Sequence, residues 1–332
     1  MTPLPSRALG GTGLRLTEVG FGASTLGNLH RAMSDEDATA AVEQAWGRGV
    51  RYFDTAPHYG LGLSERRLGR ALAAHPREQY VLSTKVGRLL EPNPTPTELD
   101  DDGFVVPGDL HRVWDFSADG VRRSLDESLT RLGVDHVDIA YAHDPDQLSD
   151  RAGLEALEAL AGLREQGVVR AIGVGTNAPD RVPGLFTSGL ADVAMVAGRY
   201  TLLEHAALAT ALEPARANGV AVVVAGVFNS GLLSSPWPGD DARYEYAAAP
   251  PATIRRARLL ADACRRHGTT LPAAAIAFPL LHPAVAGVVL GMRTVDQVDA
   301  NLDRYRAGVP DELWDDLCDQ GLVDPAAVAA GR

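Results

Sequence analysis

Eight short apolar runs, separated by amphipathic stretches of helix length, leave this chain few ways to fold. They are Glu18 to Gly22, Arg51 to Phe53, Tyr80 to Thr84, Val137 to Tyr141, Val168 to Val174, Val193 to Val196, Val220 to Ala225 and Val285 to Leu290. The runs are rich in β-branched residues and short enough to be buried on both faces, as strands of a parallel sheet are. Strand alternating with helix implies parallel strands and right-handed crossovers. Eight such units can close into a barrel or lie as an open doubly wound sheet. The first connection separates the two, because Gly20-Phe21-Gly22-Ala23-Ser24 runs into a long polar stretch with no G-x-G-x-x-G opening a helix. The expectation is an α/β barrel filling one domain, residues 1–332.

The helices between the runs carry readable ends. Ser34 with Asp37 reads as an N-cap and its partner, ahead of a stripe of Ala38, Ala41, Val42, Ala45 and Trp46 closed by Gly49. Ser117 caps a second stripe, Val121, Leu125, Leu129 and Leu132, ended by Gly133, and Leu154, Leu157, Leu160 and Ala161 line a third. Pro214 predicts a kink or restart between Glu204 and Asn218. Ser6 to Leu16, with Gly10-Gly11-Thr12-Gly13 between apolar residues, reads as a hairpin that plugs the bottom of the barrel. Two connections are long: Arg88 to Trp114 after the third strand, and Phe228 to Pro251 after the seventh. Both read as loops over the C-terminal face, where barrel sites are built.

Charge and cysteine count exclude several functions. The chain has 43 acidic and 31 basic residues for a net charge of −12, which disfavours a broad nucleic-acid surface. Cys264 and Cys318 have no ligand-like spacing, which argues against a disulfide framework or structural zinc. Met1 to Arg15 does not read as a signal peptide, and no stretch is apolar enough to span a bilayer. A cytoplasmic protein with no membrane partner is expected, with room for a homo-oligomer. Ser24 and the Asp100 to Asp102 cluster read as solvated, with no metal site.

Reactive residues stand where successive strands finish. Asp54 follows Tyr52-Phe53, Lys85 follows Ser83-Thr84, His143 follows Ala140-Tyr141-Ala142, and Tyr59 lies just beyond Asp54. In a parallel barrel these ends share one face. Their chemistry fits hydride transfer at a carbonyl, which also requires a proton to move on the oxygen. A phenol can move it, but its ordinary pKa of about 10 is too high for a good base near neutrality. Lys85 would lower it, Asp54 would hold Lys85, and His143 would orient the reacting oxygen.

Asp54-Thr55-Ala56-Pro57-His58-Tyr59-Gly60, followed by Gly62 and Ser64-Glu65, resembles the D-[ST]-A-x-x-Y-G-x-[GS]-x-S-E signature of the aldo-keto reductases. Thr84-Lys85-Val86-Gly87 is similar to that family's lysine segment, and Leu132 to Asp138 leading to His143-Asp144-Pro145 to its histidine strand. The resemblance implies a (β/α)8 TIM barrel that binds extended NAD or NADP without a Rossmann domain. It implies Asp54, Tyr59, Lys85 and His143 as the catalytic group. For the cofactor it implies Thr176 and Asn177, the segment Phe228, Ser230, Gly231 and Leu232, and at the adenosine end Gly291, Arg293, Thr294, Gln297 and Asn301. Ala225 stands where the family often has a stacking Tyr, which leaves either Phe228 or no residue to take that part, and Gly198-Arg199-Tyr200 stands where a Gln is common. Thr294 with Gln297 reads equally as a capping box. Trp114, with Tyr59 and His143, is a candidate substrate contact, and Trp237 is another loop aromatic.

Val86 to Leu90, Ala142 to Asp146, Ala197 to Leu203 and Val227 to Gly231 resemble the family's sugar dehydrogenases, with pyridoxal 4-dehydrogenase a near relative. The implied activity is NAD(P)-dependent oxidation of an aldose at its hemiacetal carbon. An NADPH-dependent aldehyde or ketone reductase and a cofactor-sensing barrel, like the potassium-channel β subunits, are the competing readings.

Overall fold

The computed structural model describes residues 4–329. Its centre is a closed barrel of eight parallel strands: Val19–Gly22 (β1), Tyr52–Asp54 (β2), Val81–Val86 (β3), Ile139–His143 (β4), Ala171–Thr176 (β5), Val193–Ala197 (β6), Ala221–Ala225 (β7) and Val285–Gly291 (β8). Each strand pairs with its sequence neighbours and β8 closes on β1 through Val288↔Val19 to Gly291↔Gly22. All eight expected strands form, so the (β/α)8 barrel is the observed fold.

The predicted helix ends are realised. Ser34 accepts a hydrogen bond from the Asp37 amide at the start of Asp35–Gly47, and Ala38, Ala41, Val42 and Ala45 are its buried stripe. Ser117 caps Ala118–Leu132, which Gly133 ends in the left-handed conformation. At Pro214 the helix is rebuilt: a π-turn over Leu208–Leu212 hands over to Glu213–Ala217, with Pro214 in the first turn, where its missing N–H costs nothing.

The core has two parts. Helix stripes pack against the outside of the barrel, Leu125, Leu157 and Leu160 sharing one buried cluster with Ile172 and Val174. Inside, Tyr52, Val81, Ile139, Tyr141, Val193, Met195 and Val223 form a separate cluster that includes Leu9, Leu14 and Leu16. Those leucines come from the hairpin Ser6–Ala8/Arg15–Thr17, which closes the N-terminal end of the barrel as expected. Burying each of them is worth roughly 1.5–3 kcal/mol over leaving it in water.

Neither long connection is a plain loop. Arg88–Thr97 and Gly108–Trp114 form an antiparallel hairpin, with register from Arg88↔Trp114 to Pro92↔Leu110 and a shift before Thr97↔Gly108. Pro92, Pro94 and Pro96 argue against a strand because they cannot donate to a ladder, and the irregularity falls among them. The second connection holds a small hairpin, Arg243–Tyr244/Ala247–Ala248. Its turn residues Glu245 and Tyr246 both have positive φ, 49° and 63°, where Asn-Gly would have advertised the turn. Among the described residues, no helix is long and apolar enough to cross a membrane.

Candidate active site

The C-terminal ends of the strands open into a cavity of about 1050 Å³. Asp54, the last residue of β2, and Lys85, near the end of β3, meet here. Lys85 Nζ donates to Asp54 Oδ2 at 2.7 Å, to the Thr55 carbonyl at 2.9 Å and to the Tyr59 hydroxyl at 3.1 Å. Asp54 is fixed from below, where Ser83 donates to its Oδ1 at 2.7 Å. The ammonium and the carboxylate are 3% and 4% exposed, so their attraction is little screened by water. His143 ends β4, with its ring edge-on to Tyr59 at 6.0 Å between centroids and, among the described residues, no hydrogen-bond partner for its Nδ1.

Tyr59 owes its place to two glycines. Gly27 and Gly60 cross backbone to backbone, and a Cβ on Gly60 would lie 2.2 Å from the Gly27 carbonyl oxygen. Gly60 also has φ +63°, which penalises any side chain. Gly60→Ala is therefore expected to push the Tyr59 segment off its neighbour and to lower kcat on the order of 10²-fold, as misplacement of a reacting group by about 1 Å does. A Gly60→Ala protein with wild-type turnover would show that this crossing does not position Tyr59.

Burial dominates the electrostatics. It pushes the Tyr59 phenol above its ordinary value, with the Lys85 charge opposing but not overcoming it. Lys85 pulls the phenol down as the sequence implied, but burial leaves the net shift upward. Burial works against the Lys85 ammonium too, but Asp54 and Tyr59 together outweigh it and hold Lys85 above its usual range. Burial, helped by Arg88 and Lys85, holds His143 well below the ordinary imidazole value, so the ring is neutral.

The wall contains most of the residues singled out from the sequence. Asp54, Tyr59, Lys85, His143, Thr176, Asn177, Phe228, Ser230, Gly231, Gly291, Arg293, Gln297 and Asn301 all line it. Leu232, Thr294 and Trp114 do not. Leu232 is buried in the core behind the wall. Thr294 turns its hydroxyl back to cap Val295–Ala307, accepting from the Gln297 amide, while Gln297 Oε1 accepts from the Arg293 amide. Trp114 lies under the Arg88 guanidinium, 4.2 Å from ring to charge, at the root of the long hairpin. Trp237 is half exposed with Arg258 above it, also off the wall.

Several groups in the wall carry other commitments. The Arg293 guanidinium donates to the Leu29 and Arg31 carbonyls, and the Thr176 hydroxyl donates to Asp146 Oδ1 at 2.6 Å. Ser24 lines the cavity half-buried, and Asp101 and Asp102 are exposed as expected, whereas the Asp100 side chain is buried against Arg112 at 2.6 Å. Residues that sequence reasoning passed over also line it, among them Thr25, His30, His58, Phe104, Asp144, Tyr246 and Arg304. His58 and Asp144 sit inside quoted motifs and could have been found there. Tyr246 sits in the second long connection, which reads as a loop over this face, and Arg304 carried no such signal.

A parallel barrel with a buried Asp–Lys–Tyr group and a neutral histidine at its C-terminal mouth is the architecture of an oxidoreductase acting on carbonyls and alcohols. Residues 18–318 match the model of the Aldo/keto reductase family, and the chain belongs to that family. It is similar to D-threo-aldose 1-dehydrogenase of a Pseudomonas species, 46% identical over 95% of this chain and 97% of the relative. It is also similar to pyridoxal 4-dehydrogenase of Microbacterium luteolum, 38% identical over 96% and 97%. L-galactose dehydrogenase of Arabidopsis thaliana is 35% identical over 91% of this chain and 88% of its own. Among solved structures, an aldo-keto reductase from Bacillus halodurans in its holo form superposes with a TM-score of 0.76, at 25% identity, covering 97% of both chains.

The family uses nicotinamide cofactors, and the cavity fits one. Its volume lies just above the range of about 300–1,000 Å³ usual for small-molecule sites. Gly22, Gly175, Ala197, Ala225 and Gly226 keep its wall low, and it continues to the amide end of Val295–Ala307, where helix geometry favours phosphate. Arg304, hydrogen-bonded to Asn301 at 3.2 Å, adds a cation at that far end.

Proposed function

We propose that this protein, acting as one barrel domain over its whole length, oxidises an aldose at C1 of its cyclic hemiacetal to the lactone, with NAD or NADP as oxidant. The observation that carries this reading is the Asp54–Lys85–Tyr59 chain of hydrogen bonds at the mouth, beside a neutral His143. When bound, a nicotinamide would supply the two-electron hydride acceptor for C1. The hydroxyl on C1 gives its proton to the Tyr59 phenolate as its C–O bond becomes a carbonyl. Lys85 stabilises the phenolate as the proton leaves the phenol again, and Asp54 keeps the ammonium charged and aimed. His143, neutral, donates to the reacting oxygen and orients it.

The cofactor would be held by Asn177 at the carboxamide, Phe228 and the low Ala225 wall at the ring, Ser230 and Gly231 along the diphosphate, and Gly291 to Asn301 with Arg304 at the adenosine. Similarity to an aldose dehydrogenase and to two further dehydrogenases supports oxidation as the working direction. The raised Tyr59 phenol favours a second reading, reduction of an aldehyde with the phenol as acid.

A panel of L-fucose, L-galactose, D-arabinose and pyridoxal, each with NAD⁺ and NADP⁺, decides between them by absorbance of the reduced nicotinamide. Rapid reduction with a sugar is the expected result. No signal there, with oxidation of NADPH by simple aldehydes, would overturn the aldose reading in favour of the reductase. Tight cofactor binding without turnover in either direction would point to a sensor.

A further inference from the structure

The cavity holds more polar chemistry beside His143 than one hydride and one proton require. Arg88, at the root of the long hairpin and 11% exposed, splits its guanidinium between two neighbours. One nitrogen approaches His58 Nδ1 at 3.1 Å and the other donates to Asp144 Oδ2. A guanidinium has no lone pair to offer, so Nδ1 of His58 is the acceptor and the ring proton sits on Nε2. Burial, with Arg88, Arg112 and Lys85 nearby, lowers His58 to about 2, which keeps the ring neutral. His58 therefore presents one N–H donor. Asp144 presents one acceptor, because among the described residues no protein group donates to its Oδ1.

Both residues line the cavity next to the reacting group. The His58 ring lies 5.6 Å from that of His143 and 5.8 Å from that of Tyr59, and Asp144 Oδ2 is 3.6 Å from His143 Nε2. Asp144 is held there in a left-handed conformation, φ 45° and ψ 52°, with its amide donating to the Gly175 carbonyl at 2.7 Å. Such a conformation persists in a non-glycine residue only where its surroundings over-determine it, and it is the kind of strain found at ligand clamps.

An alcohol hydroxyl is donor and acceptor at once, so a paired N–H and carboxylate oxygen is its complement. With the reacting oxygen at Tyr59 and His143, a group this close to His143 meets the substituent one carbon along. We propose that Arg88, His58 and Asp144 form a hydroxyl-reading subsite. In it, Asp144 Oδ1 accepts from, and His58 Nε2 donates to, the hydroxyl on the carbon next to the reacting one. The proposal rests on the aldose reading above and names the part of the substrate that decides recognition. A site built to bond a hydroxyl rejects the analogue that lacks it, since its polar groups are then left unpaired.

The test pairs each aldose that turns over with its 2-deoxy analogue, in wild type, Asp144→Ala and Asp144→Asn. In wild type, removing the hydroxyl is expected to lower kcat/KM roughly 10–100-fold, the worth of one hydrogen bond to a charged group. Asp144→Ala should lose a similar factor on the parent sugar and show almost no further penalty on the deoxy sugar, because the two changes delete the same contact. Asp144→Asn, which can still accept, should recover part of the discrimination. Cofactor binding followed by protein fluorescence verifies that each variant is folded. An equal deoxy penalty in wild type and Asp144→Ala would overturn the subsite while leaving the aldose reading intact. Failure of the wild type to oxidise any aldose would remove that reading, and the subsite with it.

Discussion

Tyr59→Phe is expected to lower kcat roughly 10²–10⁴-fold, the span of general acid–base catalysis, while the dissociation constant of the cofactor stays near its wild-type value. The substitution removes one oxygen, the one that receives the 2.7 and 3.1 Å relay from Asp54 through Lys85. Nothing else in the relay depends on it, since Lys85 keeps Asp54 and the Thr55 carbonyl. The same residue sets a pH profile. Burial raises the phenol above its ordinary value, so it is protonated through the neutral range. Oxidation, which needs the phenolate to take up a proton, should therefore speed up as pH rises into the alkaline range. Reduction, which needs the phenol to give one, should be flat and then fall over the same interval. Both slopes should vanish in Tyr59→Phe. A slope that survives in that variant, or a variant that keeps its turnover, would assign the proton to another group.

Asp54→Ala is expected to destabilise the protein by about 3–5 kcal/mol, because it leaves the Lys85 ammonium buried without its countercharge. Replacing the pair together, Asp54→Leu with Lys85→Met, should restore most of that stability and none of the turnover. Apolar groups of similar volume avoid the desolvation that the ion pair must offset. Urea unfolding measures the first quantity and hydride transfer the second. If the double variant were as unstable as the single, packing around the site rather than the orphaned charge would be the cause. If it turned over normally, the pair would have no part in the reaction.

Asp54, Lys85 and His143 are legible in the sequence because each follows directly on an apolar run, and a parallel barrel sends all such ends to one face. The eight strands are legible for the same reason, burial on both sides leaving continuous apolar runs. What stays hidden in the sequence depends on backbone turns and on competing partners. The proline-rich strand Arg88–Thr97 pairs despite the residues that argue against it. Asp144 and Tyr246 line the cavity with positive φ, which nothing in their residue types demands. Thr294 and the Arg293 guanidinium, which resemblance assigned to the cofactor, are spent within the protein, Thr294 on a helix cap and Arg293 on loop carbonyls. Trp114, read as a substrate contact, instead supports the arginine on which Asp144 and His58 both hang.

The leucine hairpin at the closed end of the barrel has a consequence for proton traffic. From Asp54 a line of hydroxyls descends along the axis, Ser83 to Tyr52 at 3.1 Å and Tyr52 to Tyr141 at 3.2 Å, and stops among the buried side chains that Leu9, Leu14 and Leu16 seal. A wire that ended in water could drain each catalytic proton through the floor and let it exchange during turnover. This one is a blind alley, its two phenols pushed far above their ordinary values by burial. Among the described residues this line gives a proton at Tyr59 no path through the floor, and the cavity mouth is the side on which Tyr59 meets solvent.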